Sequence, residues 1–135
     1  MPFVRGAEAV THEVHGARFT AYANPGTGSR DLAAWRTEVP AGSAPVPHVV
    51  SHEEVFYLLS GEVRLTIDGD TADLLPGDAA VAPAGSRIAV ANRTDEPARM
   101  WVTTRVGLTA TLGDGSTLTP PWANHRPGTG HAVPG

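Results

Sequence analysis

The 135-residue chain contains no cysteine. Disulfides, thiolate nucleophiles, zinc–thiolate sites and iron–sulfur clusters are therefore excluded. It contains no lysine either. All ten basic residues are arginines, scattered from Arg5 to Arg126 and outnumbered by fourteen acidic residues, for a formal net charge of −4. No basic cluster is available to track a phosphate backbone, so nucleic acid is not an expected partner. Apolar runs are only a few residues long, too short for a membrane-spanning helix, and residues 1–10 lack an apolar signal core. These absences predict a cytoplasmic address and no membrane partner. A capped amphipathic window of helical length is also missing.

What is present points to short extended segments. Hydrophobic residues make up 41% of the chain, enough for a packed globule, and the length suits one domain that folds without covalent staples. Fifteen glycines and twelve prolines are spread as punctuation, as in Pro25-Gly26, Pro40-Ala41-Gly42, Pro76-Gly77 and Pro83-Ala84-Gly85. Turns at such intervals separate the strands of a sandwich or barrel. Strands are predicted over 18–23, 31–39, 46–50, 55–59, 62–67, 71–75, 79–82, 87–92 and 98–106. The clearest is 62–67, where polar and apolar residues alternate, followed by Asp68-Gly69, a strong hairpin signal. Three regions follow: an N-terminal arm over 1–17, a barrel over 18–110 and a C-terminal tail over 111–135. The tail is expected to lie against the barrel through Leu112, Leu118 and Trp122, and its last ten residues to be mobile.

Two spaced motifs stand in the middle of the chain. The first is Gly42, five residues, His48, Val49, Val50, three residues, Glu54, six residues and Gly61. The second is Gly77, five residues, Pro83, Ala84, Gly85, two residues, Ile88, three residues and Asn92. In this spacing residues 35–106 resemble the cupin superfamily, and the run Pro120-Pro121-Trp122-Ala123 is similar to small actinobacterial members. The resemblance implies an all-β double-stranded β-helix, or jelly-roll barrel, that holds a small molecule in its lumen. It also implies a homodimer formed by exchange of edge strands, which need covering in any case.

Metal-binding cupins hold a divalent ion with three histidines and one glutamate. Here two of those four positions survive, His48 and Glu54, while Val50 and Ile88 cannot ligate. His52 is a candidate third donor. Along one straight strand it would lie ~13 Å from His48 at ~3.3 Å per residue, far beyond metal–nitrogen bonds of ~2.0–2.1 Å. It joins His48 only where the chain bends, at Ser51-His52-Glu53. The metal reading is thus one divalent transition ion (Fe, Mn, Ni, Cu or Zn) on His48, His52 and Glu54. The metal-free reading has no cofactor, with His48 and Glu54 as a catalytic proton shuttle. Val50, Phe56, Ile88 and Trp101 are candidate lumen residues, with Trp101 flanked at period two by Arg99, Thr103 and Arg105. His12, His15, His125 and His131 are expected at the surface.

Three functions stay open on sequence alone. The chain is an isomerase/cyclase or metal-dependent oxygenase, a non-catalytic binder or sensor of small molecules, or a structural relic with its lumen filled by side chains. A lumen of roughly 300 Å³ or more would mark a ligand site; a filled barrel would mark the relic.

Overall fold

In the computed structural model, which describes residues 3–125, the chain forms twelve strands and one four-residue α-helix. The first six strands are β1 (Val10–Val14), β2 (Ala17–Ala23), β3 (Leu32–Val39), β4 (His48–Val50), β5 (Glu54–Ser60) and β6 (Val63–Ile67). They are followed by β7 (Asp70–Leu74), β8 (Ala79–Ala82), β9 (Arg87–Ala91), β10 (Ala98–Arg105), β11 (Ala110–Leu112) and β12 (Thr117–Leu118). The helix α1 (Pro121–Asn124) comes last. One six-stranded sheet has the order β1-β2-β3-β10-β5-β8 and the other β12-β11-β4-β9-β6-β7. Every strand pairing is antiparallel. This is the all-β jelly roll expected from the sequence. No helix among the described residues is long and apolar enough to cross a membrane.

Period-two burial selects the inner face of each sheet. Along β5, Glu54, Phe56 and Leu58 are buried while Val55, Tyr57 and Leu59 are exposed. Along β10, Ala98, Met100, Val102 and Thr104 are buried in turn. Each large apolar side chain removed from water in this way contributes roughly 1.5–3 kcal/mol. Pairing of Met100 with Leu58 and of Val102 with Phe56 locks the two rows into one core.

Several motif residues serve the scaffold alone. Asp68 and Gly69 both adopt positive φ, 49° and 89°, as a two-residue turn between β6 and β7 requires. Gly61 has φ 81°, and a Cβ there would lie 2.7 Å from Ala98 Cα, so only glycine lets β5 end against β10. Asn92 is fully buried. Its amide donates to Val39 O (3.2 Å) and Glu96 O (2.8 Å), and its Oδ1 accepts from Thr94 N (3.0 Å) and Thr94 Oγ1 (2.7 Å). The whole amide is satisfied, so its motif position is structural.

The arm and tail are drawn further into the sheets than their sequence suggests. β1 pairs with β2, and β11 pairs with β4, so a boundary between 110 and 111 falls inside β11. Both additions are short and cover backbone that would otherwise form open edges. The last ten residues of the chain lie outside the described residues.

Candidate functional site

A cavity of about 200 Å³ opens between the two sheets. The first sheet supplies Trp35, Phe56, Met100 and Val102, and the second supplies Val50, Ile88 and Val90. Leu108, and Leu118 and Trp122 of the tail, complete its lining. The volume falls short of the roughly 300 Å³ expected for a drug-sized ligand, yet the barrel is not filled. An apolar cavity of about 150 Å³ already admits benzene. The space therefore suits a compact, ring-sized molecule.

Glu54 is the buried ionisable group of this wall. The phase of β5 places it on the same face as Phe56 and Leu58, opposite Ala82 of β8, and it is only 4% exposed. Burial pushes its carboxyl up from 4.5 to about 7, with no charge or hydrogen bond among the described residues to counter it. The ion pairs among the described residues join Arg18 to Glu13, Arg64 to Asp73 and Arg99 to Glu38, all on the outer surface.

His48 lines the same cavity from β4, where it pairs with Ile88 on one side and Leu112 on the other. Its Nδ1 lies 3.1 Å from Val46 O. A carbonyl can only accept, so Nδ1 carries the proton and Nε2 is left for a ligand. His52 takes a different direction. Its Nδ1 is 2.6 Å from Ser51 Oγ, and its Nε2 lies against Gly107, 3.6 Å from where a Cβ would stand. It is not part of the cavity wall. Among the described residues no three His, Cys, Asp or Glu side chains come together to hold a metal ion. One imidazole and one carboxyl remain where the motif calls for four donors, with Val50 and Ile88 filling the other two positions apolarly. That donor set does not fit a first-row metal.

Val50, Phe56 and Ile88 line the cavity, and Trp101 does not. Trp101 faces outward against Tyr22, ring centroids 5.3 Å apart, and its neighbours Met100 and Val102 take the lumen instead. The physical reason is charge. Turning Trp101 inward would also turn Arg99 and Arg105 inward, and two unpaired guanidiniums in an apolar core cost far more than one exposed indole edge.

Trp122 is the lumen residue that period-two reading could not assign. It stacks on Phe19 with centroids 3.9 Å apart and planes within 4°, and meets Trp35 edge-on at 6.4 Å. Its helix is tied down by Asn24 Nδ2 donating to Trp122 O (3.0 Å) and by Asn124, which accepts from Gly107 N (2.7 Å) and donates to Leu108 O (2.9 Å). The Trp122 indole Nε1 is buried without a hydrogen-bond partner. The available signal was Pro120-Pro121, which presets a helix start just before the ring. His15 also reaches the cavity mouth, from an exposed turn at φ 53°. His12 sits half-buried beside Trp122, at 6.0 Å between rings, and burial and then the charge of His125 lower its pKa. His131 lies outside the described residues.

Comparison with known proteins places this geometry. Among solved structures the chain is similar to the polyketide cyclase RemF from Streptomyces resistomycificus, at 23% identity and TM-score 0.68, over 78% of this chain and 79% of that one. It is similar to an RmlC-like cupin from Shewanella frigidimarina, at 20% identity and TM-score 0.64, over 76% and 88% of the two chains. It is also similar to a sugar phosphate isomerase of the cupin superfamily from Silicibacter pomeroyi, at 18% identity and TM-score 0.61, over 83% and 82%. These likenesses establish the fold. No curated protein sequence matches the chain. The cupin domain family matches residues 35–104, which span β3 through most of β10 and carry both motifs and Glu54. More than half of the chain lies in that match, and the protein belongs to the cupin domain family.

Proposed function

We propose that the lumen binds a small ring- or carbonyl-bearing molecule and that Glu54 moves a proton within it, as an isomerase or cyclase does. The observation that carries this reading is a buried carboxyl on the wall of an apolar cavity, without a partner among the described residues, where burial pushes its pKa up to about 7. A general acid–base works best when its pKa lies near the working pH. Glu54 as carboxylate accepts a proton from a carbon next to a carbonyl. The C–H electron pair moves into the new C=C bond, and the carbonyl oxygen takes up the charge. In a ketone with a neighbouring β,γ double bond, the charge on oxygen then re-forms the C=O, the C=C shifts into conjugation, and the pair released at the γ-carbon takes the proton back from the Glu54 carboxyl; in a simple ketone the proton returns to the α-carbon. His48 has an Nε2 lone pair free to accept from a ligand hydroxyl elsewhere on the ring. A cyclase among the neighbours uses the same scaffold, which supports this reaction class. A metal-dependent oxygenase would need a fuller donor set than the described residues bring together.

The test is hydrogen–deuterium exchange at the α-carbon of a panel of ring-bearing ketones in deuterated buffer. Wild-type protein is expected to accelerate exchange for a subset, with an apparent pKa near 7. Glu54→Gln is expected to lose that acceleration by about a hundredfold or more. Exchange that survives in Glu54→Gln removes Glu54 from the chemistry. Ketones that bind without any exchange make the protein a non-catalytic binder.

We also propose a homodimer. The outer face of the first sheet near its open edge is apolar, with Val55, Tyr57 and Leu59 on β5 and Val81 on β8 all at least 39% exposed. The edge strand β8, Ala79-Ala80-Val81-Ala82, carries neither the charge nor the proline that usually protects an edge. Antiparallel pairing with a second β8 about a twofold axis would cover both. Sedimentation velocity is expected to give a dimer for the wild type and a monomer for Val81→Lys. A wild type that sediments as a monomer at 100 µM defeats the proposal.

A further inference from the structure

We infer that the lumen selects by charge, accepting an uncharged ring-bearing ketone and rejecting the carboxylate of the same shape; this deepens the proposed function and rests on it. The supporting observation is the polar inventory of the cavity. The chain has no lysine, and no arginine among the described residues lines the wall. A bound anion would therefore lose its hydration with no fixed cation to replace it. Glu54 occupies the wall as well, so a ligand carboxylate would share an apolar space with a second carboxyl.

The remaining polar groups favour a neutral acceptor. The Thr37 hydroxyl already accepts from Trp35 Nε1 at 3.0 Å, and the Ser43 hydroxyl already donates to Pro40 O. Among the described residues, the polar side-chain groups of the inner wall without a protein partner are the Glu54 carboxyl and the His48 Nε2; the Trp122 N–H is also unpartnered but sealed from the cavity. The protonated carboxyl is a donor, and a ketone oxygen is an acceptor without charge. Among the described residues the other titratable side chains of this cavity are His48 on β4 and His15 at the exposed mouth; β3, β8, β9, β10 and β11 present none to it. A carboxylate held near the mouth by a protonated imidazole would evade the selection, so the comparison is made at pH 8, above the range in which an ordinary imidazole is charged.

Acetophenone and benzoate are the probes, close in shape and different in charge. Their binding is measured by isothermal titration calorimetry at pH 6 and pH 8, on wild type and on Glu54→Gln. Acetophenone is expected to bind, and benzoate to bind about thirtyfold more weakly or worse at pH 8. Acetophenone affinity is expected to fall about threefold to tenfold between pH 6 and pH 8, as the donating proton leaves Glu54. In Glu54→Gln, whose amide donates at every pH, that dependence disappears and the penalty on benzoate shrinks. Benzoate within threefold of acetophenone at pH 8 in the wild type overturns the selectivity and leaves lumen binding standing. Failure of both probes to bind overturns both. Selective binding with no exchange of any ketone defeats only the proton-transfer chemistry.

Discussion

Replacing Glu54 by glutamine is expected to raise the unfolding free energy at pH 8 by about 3 kcal/mol and to leave it nearly unchanged at pH 4.5. The sign follows from the direction of the shift. In the unfolded chain the carboxyl ionises near 4.5; in the fold it holds its proton to about 7. Between those values the folded state binds the extra proton, so the wild type loses stability as pH rises, by roughly 1.4 kcal/mol per pH unit. Below 4.5 both states are protonated and the loss is absent. Above 7 it is complete. Glutamine has nearly the same shape and no charge to lose, and it lacks a hydrogen-bond partner much as the neutral acid does, so the difference between the two proteins isolates ionisation. Urea unfolding of both proteins from pH 4.5 to 8.5 measures it. A difference that does not vary with pH would falsify the burial argument, and the proton-transfer chemistry with it.

Trp122→Ala is expected to cost about 3–5 kcal/mol, the range for truncating a buried aromatic. The ring is 4% exposed and contacts Phe19 face to face and Trp35 edge-on, so its removal leaves a void that joins the lumen and admits water. Trp122→Phe should recover most of this. It keeps a ring on Phe19 and removes a donor that has no partner in the fold. Denaturation midpoints of the two variants give the comparison, and acetophenone titration reports the lumen. If Trp122→Ala loses less than about 1 kcal/mol, the tail is only a loose cover.

Much of this fold is legible along the chain because β-strands declare their phase. The alternation in β6 and the turn at Asp68-Gly69 fix one hairpin outright, and the motif glycines and Asn92 sit where strands end. The burial of Glu54 follows from the same rule, since it is in phase with Phe56 and Leu58. Trp101 is harder. Its strand alternates cleanly, but alternation gives two faces without saying which is inner; the arginines flanking it decide, because they cannot be buried unpaired. His52 lies in a bend, where strand periodicity gives no direction. β11 and β12 are three and two residues long, too short to carry a pattern. The lumen volume is a small remainder of many side-chain volumes from distant positions, and no local stretch encodes it.

β11 brings Leu112 directly beside His48, with Ile88 on the other side, so the segment from β11 to α1 acts as a stopper for a vessel made by the middle of the chain. Substitutions at Leu112, Leu118 or Trp122 can resize the guest space while the motif strands keep their register. The first place to look for a shift in ligand preference is therefore downstream of both motifs.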